Sequence, residues 1–179
     1  MWYVVQVQTG NEIQTKDICN HLIERELLLE CFIPQYEKMK RYQGAWHKEK
    51  AILFPGYMFV KTNDIELLFL TLRNVPKLTK VLGIGNELVP IHPEEKQFLE
   101  KALNEKYIVE VSKGYIIGEQ IYITDGPMKH FTGTIKKIDR HKRIAIIELE
   151  MFGRKIEASL GLEVIGKYEV TQRVRENGA

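Results

Sequence analysis

The stretch Phe54-Pro55-Gly56-Tyr57-Met58-Phe59-Val60, FPGYMFV, decides how this chain is read. Its aromatic and β-branched residues favour a strand. A Pro-Gly pair breaks a regular ladder, because Pro has no N–H to donate and Gly has no side chain to pack. Alternation sets Tyr57 and Phe59 on one face and Met58 and Val60 on the other, so both faces are apolar. Such a strand lies inside a core covered on both sides, or it presents an apolar face to something else. Pattern alone leaves both readings open.

Working outward, WYVVQVQ (Trp2–Gln8) reads as a strand. Asn11 and Gln14 have capping-box spacing ahead of a helix carrying Ile18, Cys19, Leu22, Ile23 and Leu27. ECFIPQYE is a second strand near an edge, since it contains Pro34. Asn63 is expected to cap a helix with Ile65, Leu68, Phe69 and Leu72 on one side. KLTKVLG is a short strand, and Pro93 opens a third helix. The first hundred or so residues therefore read as one α/β unit. After Lys106 only short strands and turn signals follow, as in a small β-barrel. The fold class expected is α+β: an N-terminal α/β sandwich, an antiparallel sheet with helices, then a five-stranded β-barrel. The boundaries expected are 1–106, a linker at 107–117, a barrel at 118–166 and a polar tail at 167–179.

The 179 residues carry a net charge of +2, which is uninformative as a total. No apolar run is long enough to span a bilayer, and the N-terminus lacks signal-peptide features, so a cytoplasmic location is expected. Cys19 and Cys31 form no CxxC pair and read as reduced thiols. The five histidines fit no metal spacing. No GxSxG elbow, P-loop or dinucleotide fingerprint occurs. The expectation is a protein that is not an enzyme and has no catalytic residue, cofactor or metal.

Local charge says more. Lys38 to Lys50 interleaves Lys38, Lys40, Arg41, Lys48 and Lys50 with Tyr42 and Trp46 around Gly44. A hairpin tip of this kind suits a nucleic-acid backbone and its bases, or is simply a solvated loop. Lys129 to Arg143 holds six lysines and arginines against the single acid Asp139. The turn Arg140 to Arg143 gathers part of that charge at one tip, where it attracts phosphates.

Four segments carry a family resemblance: WYVVQVQTGNE, FPGYMFV, RNVPKLTKVLG, and GEQIYITDGPMKHFTGTIKKID with EMFGRKIEASLGLEVI. In that order, across residues 1 to about 166, they resemble the NusG family of transcription elongation factors. The resemblance implies an N-terminal NGN domain and a C-terminal KOW barrel. It implies that Pro55-Gly56 is a bulge that turns the strand and frees Phe54, Tyr57 and Phe59 to contact the clamp of RNA polymerase. Lys40, Arg41, Trp46 and Lys48 would lie near upstream or non-template DNA. Phe131, Phe152 and Arg154 match the loops by which the barrel of general members docks Rho or a ribosomal protein. Met128 stands where an aromatic is typical, and the barrel turn is strongly basic. Both departures resemble the specialised LoaP-type paralogs, operon-specific antiterminators. They imply RNA contact, with a nascent hairpin as the partner, through Lys129, Lys136, Lys137, Arg140, Lys142 and Arg143. A processive antiterminator, monomeric and without a membrane partner, is expected. The alternative is a general factor that couples polymerase to Rho or the ribosome.

Overall fold

The computed structural model describes residues 1–83, 88–117, 120–131 and 134–168. In chain order the first unit contains β1 (Trp2–Val7), α1 (Glu12–Leu22), β2 (Glu30–Phe32), β3 (Gln35–Tyr42), β4 (Ala45–Ile52), β5 (Tyr57–Lys61), α2 (Ile65–Leu72), β6 (Leu78–Val81) and α3 (Pro93–Ala102). Four of the strands form an antiparallel sheet in the order β2-β5-β1-β6. Alternation along β1 and β5 gives this sheet two apolar faces. Tyr3, Val5, Val7, Met58 and Val60 pack with Cys19 of α1 and with Leu68 and Leu72 of α2. Trp2, Val4 and Phe59 face the other way, in one core with Leu99 and Ala102 of α3. Met58, Phe59 and Val60 are all fully buried. Each such side chain contributes on the order of 1.5–3 kcal/mol.

The Pro-Gly pair is a turn between two strands, not a bulge within one. The Tyr57 N–H donates to the Phe54 carbonyl at 3.1 Å, and Gly56 has φ +83°. Pro at the second position and a positive-φ Gly at the third make a type II turn. The Glu12 carboxylate, 1% exposed, holds it by accepting the N–H groups of Gly10 at 2.8 Å and Gly56 at 2.7 Å. Two charge-assisted bonds compensate a buried carboxylate. A Cβ on Gly56 would stand 3.0 Å from Thr9 Oγ1.

The caps differ in detail from the sequence reading. Asn11 and Gln14 make no capping box: both side chains accept from Lys77 Nζ, at 2.7 and 2.8 Å. Asp64, not Asn63, caps α2 by accepting the Leu67 N–H at 2.9 Å. Pro93 does open α3, and Glu95 reaches back to the His92 N–H at 3.0 Å.

Strands β3 and β4 form a long hairpin in register from Gln35↔Ile52 to Tyr42↔Ala45. Gln43 and Gly44, with φ 51° and 78°, make its two-residue turn. The segment 107–117, expected as a linker, carries β7 (Ile108–Val109) and β8 (Ser112–Ile117). Strand β7 pairs parallel with β3, and β8 enters the C-terminal sheet. That sheet adds β9 (Gln120–Asp125), β10 (Thr134–Asp139), β11 (Ile144–Met151) and β12 (Arg154–Tyr168), in the order β10-β11-β12-β8-β9. The expected closed barrel is not formed: among the described residues β9 and β10 are edges that do not pair. Its apolar residues, including Ala145, Ile147, Leu160 and Leu162, join the cluster containing Trp2, Phe54 and Phe59. The first unit therefore helps to cover a face that barrel closure alone would otherwise bury. Of the expected polar tail, Lys167 and Tyr168 end β12, and residues 169–179 lie outside the described residues.

A candidate interface covered by the chain itself

Phe54, Tyr57 and Phe59 converge on the sheet face away from α1 and α2. Phe54 and Phe59 are 3% and 0% exposed, and Tyr57 is half-buried. Their cover comes from the C-terminal sheet. Phe152, at the turn between β11 and β12, places its ring centroid 4.9 Å from Tyr57, 5.8 Å from Phe54 and 5.9 Å from Phe59. The Phe152 N–H donates to Glu95 Oε1 of α3 at 2.7 Å. The Arg154 guanidinium lies 5.5 Å from the Tyr57 ring centre, within cation–π range. Phe131 meets Phe98 of α3 edge-on at 6.2 Å. The residues expected to bind an outside partner from the two domains are thus brought together against each other.

Phe152 has φ +57°, beside Gly153 at +69°. A left-handed backbone costs a non-Gly residue about 1–2 kcal/mol. The two positive-φ positions give the tight hairpin turn that keeps Met151 and Arg154 in register. At the first of them Asn, Asp or Gly would be unstrained. Phe there is explained by the ring's contacts across the domain interface, not by the turn.

Basic residues of the β3–β4 hairpin and of the turn between β10 and β11 form the other end of the interface. The Arg143 guanidinium lies 4.0 Å from the Trp46 ring centre and pairs with Glu163 at 2.7 Å. Tyr42 and His47 stack at 3.7 Å along the hairpin tip. Lys40 pairs with Glu49 at 3.3 Å and Lys48 with Glu37 at 3.1 Å, whereas Arg41 is exposed without an acidic partner among the described residues. In the C-terminal sheet Lys136 pairs with Glu148 at 2.8 Å. Lys129, Lys137, Arg140 and Lys142 are exposed and lack an ion pair among the described residues. Asp139 shapes the turn by accepting the Lys142 N–H at 2.9 Å, and that bond holds its carboxyl below the usual range.

The N-terminal fold corresponds to a known family. The family model described as transcription termination factor NusG matches residues 1–100, more than half of the chain. The chain belongs to the NusG family. Curated relatives extend the likeness over both domains. The transcription termination/antitermination protein NusG of Staphylococcus epidermidis is 29% identical over 176 residues, 93% of this chain and 94% of that protein. Those of Rickettsia felis and Halalkalibacterium halodurans are 28% and 25% identical, each across 93% of this chain and covering 89% and 97% of the relative. A solved structure of Thermotoga maritima NusG, reported for its domain interaction, shares the fold. It has a TM-score of 0.58 at 23% identity and covers 89% of this chain and 92% of that one.

Within this NusG fold, no group of three or more His, Cys, Asp or Glu side chains among the described residues converges as a metal site. No helix among them is long and apolar enough to cross a membrane. Burial pushes the Cys19 thiol up to about 11, which keeps it protonated and inert at neutral pH. The residues missed by sequence reasoning are Glu12, Glu95 and Gly161. Glu12 holds the FPGY turn and Glu95 receives the Phe152 N–H. Gly161 lets β12 approach β3, since a Cβ there would stand 2.3 Å from the Glu37 carbonyl. Glu95 is marked locally only as the capping-box partner of His92; the contacts to Gly56, Phe152 and Glu37 have no local signal, because each partner is distant in sequence.

Proposed function

We propose that this NusG-family protein is a transcription elongation factor acting as a processive antiterminator of the LoaP type. Its NGN domain binds the RNA polymerase clamp through Phe54, Tyr57 and Phe59. Its C-terminal domain contacts nascent RNA. The observation that carries the RNA half is that Lys137, Arg140 and Lys142, and separately Lys129, are exposed and free of ion pairs among the described residues. Cations without internal carboxylate partners are available to neutralise phosphates. Lys136 and Arg143, already paired with Glu148 and Glu163, are secondary. The clamp and Phe152 would claim the same apolar face, so engagement with polymerase requires the C-terminal domain to leave it.

Transcription through terminators, with and without a candidate leader RNA, tests the reading. Leader-dependent readthrough is expected, and replacing Lys137, Arg140 and Lys142 with Gln removes it. Readthrough that ignores the leader, beside a saturable complex with Rho or a ribosomal protein, identifies a general coupling factor. In that case Phe131 and Phe152 would serve an outside protein once undocked.

A further inference from the structure

Docking sets two basic tips side by side. The β3–β4 hairpin carries five lysines and arginines against the two glutamates Glu37 and Glu49. The turn from Asp139 to Arg143 carries three against one. Between them lies a groove of about 350 Å³, whose walls include Lys38, Lys40, Arg41 and Trp46 on one side and His141 and Lys142 on the other. Like charges brought together disfavour docking. The acids nearby are already engaged: Glu49 pairs with both Lys38 and Lys40, and Glu163 with Arg143. Stacking of Arg143 on Trp46 neutralises no charge, because a cation–π contact has no anion in it. The groove therefore keeps Arg41 and Lys142 without an ion pair among the described residues, which suits an anion. The groove is at the small end of ligand pockets, which suits a segment of single strand better than a duplex.

We propose that the docked protein binds the phosphodiester backbone of a single nucleic-acid strand in this groove, a site that neither domain possesses alone. The proposal shares Lys142 with the RNA reading above but adds the NGN hairpin and the requirement for docking. One consequence follows from linkage. A strand that fits only the docked form holds Phe152 over Tyr57, and so opposes binding of anything else to that apolar face.

The test uses the full chain and fluorescence anisotropy with labelled oligouridylate RNA and oligothymidylate DNA over a salt series. Binding of either supports the site, and their ratio names the strand. Substituting Lys40 and Arg41 with Gln, or Arg140 and Lys142 with Gln, is expected to weaken binding. The salt slope should fall by about 0.7 for every phosphate that a variant no longer neutralises. The deciding variant is Gly161→Val, which removes no charge. Its side chain collides with the Glu37 carbonyl across the domain junction, while β12 keeps its register with β11 at Ile144. Small-angle scattering reports the opening, and Phe152→Asp serves if Gly161→Val does not fold. Opened protein should bind as weakly as the hairpin variant. If opened protein and the hairpin variant bind like wild type while the turn variant is weakened, the composite groove is wrong and the C-terminal RNA contact survives. If neither set of charges matters, both fall.

Discussion

The two ends of the domain interface are built from different physics. At one end Phe152 sits among Phe54, Tyr57 and Phe59, and area removed from water holds it there. At the other end Arg143, paired with Glu163, lies on Trp46 beside Arg41 and Lys142, which lack an ion pair among the described residues. The first contact is insensitive to salt, whereas the second is opposed by like-charge repulsion that salt or a polyanion relieves. The apolar end therefore sets how strongly the domains dock, and the basic end sets what can change it.

The largest effect separates core from interface within one strand. Phe59→Ala is expected to destabilise the NGN domain by about 3–5 kcal/mol, since Phe59 is fully buried and stacks on Phe32 at 5.3 Å. Tyr57→Ala, at the half-buried position under Phe152, leaves the fold largely intact. On the proposed reading it weakens polymerase binding by a kcal/mol or more. Thermal melts beside a polymerase-binding assay check the pair. Equal destabilisation of both variants would make Tyr57 a core residue and erase the distinction.

That division was only half legible in the sequence. Alternation correctly separated Tyr57 and Phe59 from Met58 and Val60, and α1 and α2 cover the latter. The other face is covered partly by α3 and, over Tyr57, by Phe152 nearly a hundred positions later, and no local period encodes such a contact. The Pro-Gly pair was legible as a backbone irregularity. Whether it was a bulge or a turn depended on Glu12 receiving the Gly56 N–H from a different element. The same limit applies to the expected barrel. Strand lengths and turns in the C-terminal domain were readable, but an open sheet sharing a core with its neighbour is a tertiary outcome. The basic tips were visible as charge runs, whereas their adjacency was not.

Smaller effects sharpen the comparison. Gly56→Ala is expected to cost about 1–2 kcal/mol, because Gly56 has φ +83° and a Cβ there would stand 3.0 Å from Thr9 Oγ1. Urea unfolding reads this change, and a neutral result would show that the FPGY turn does not need its glycine. Trp46→Ala removes the platform beneath Arg143 and should weaken docking by about 0.5–1 kcal/mol. Scattering over a salt series checks it. Added salt should tighten docking in wild type by screening the two tips, and docking that loosens with salt would reverse the assignment of the basic end.

The central claim is that the chain covers its proposed polymerase-binding face with Phe152. Titrating purified RNA polymerase against wild-type protein and Phe152→Asp tests it most directly. Phe152→Asp removes the ring that covers Tyr57 and leaves every proposed clamp contact in place, so it should bind more tightly than wild type. Equal or weaker binding by a folded, open Phe152→Asp protein would contradict the account.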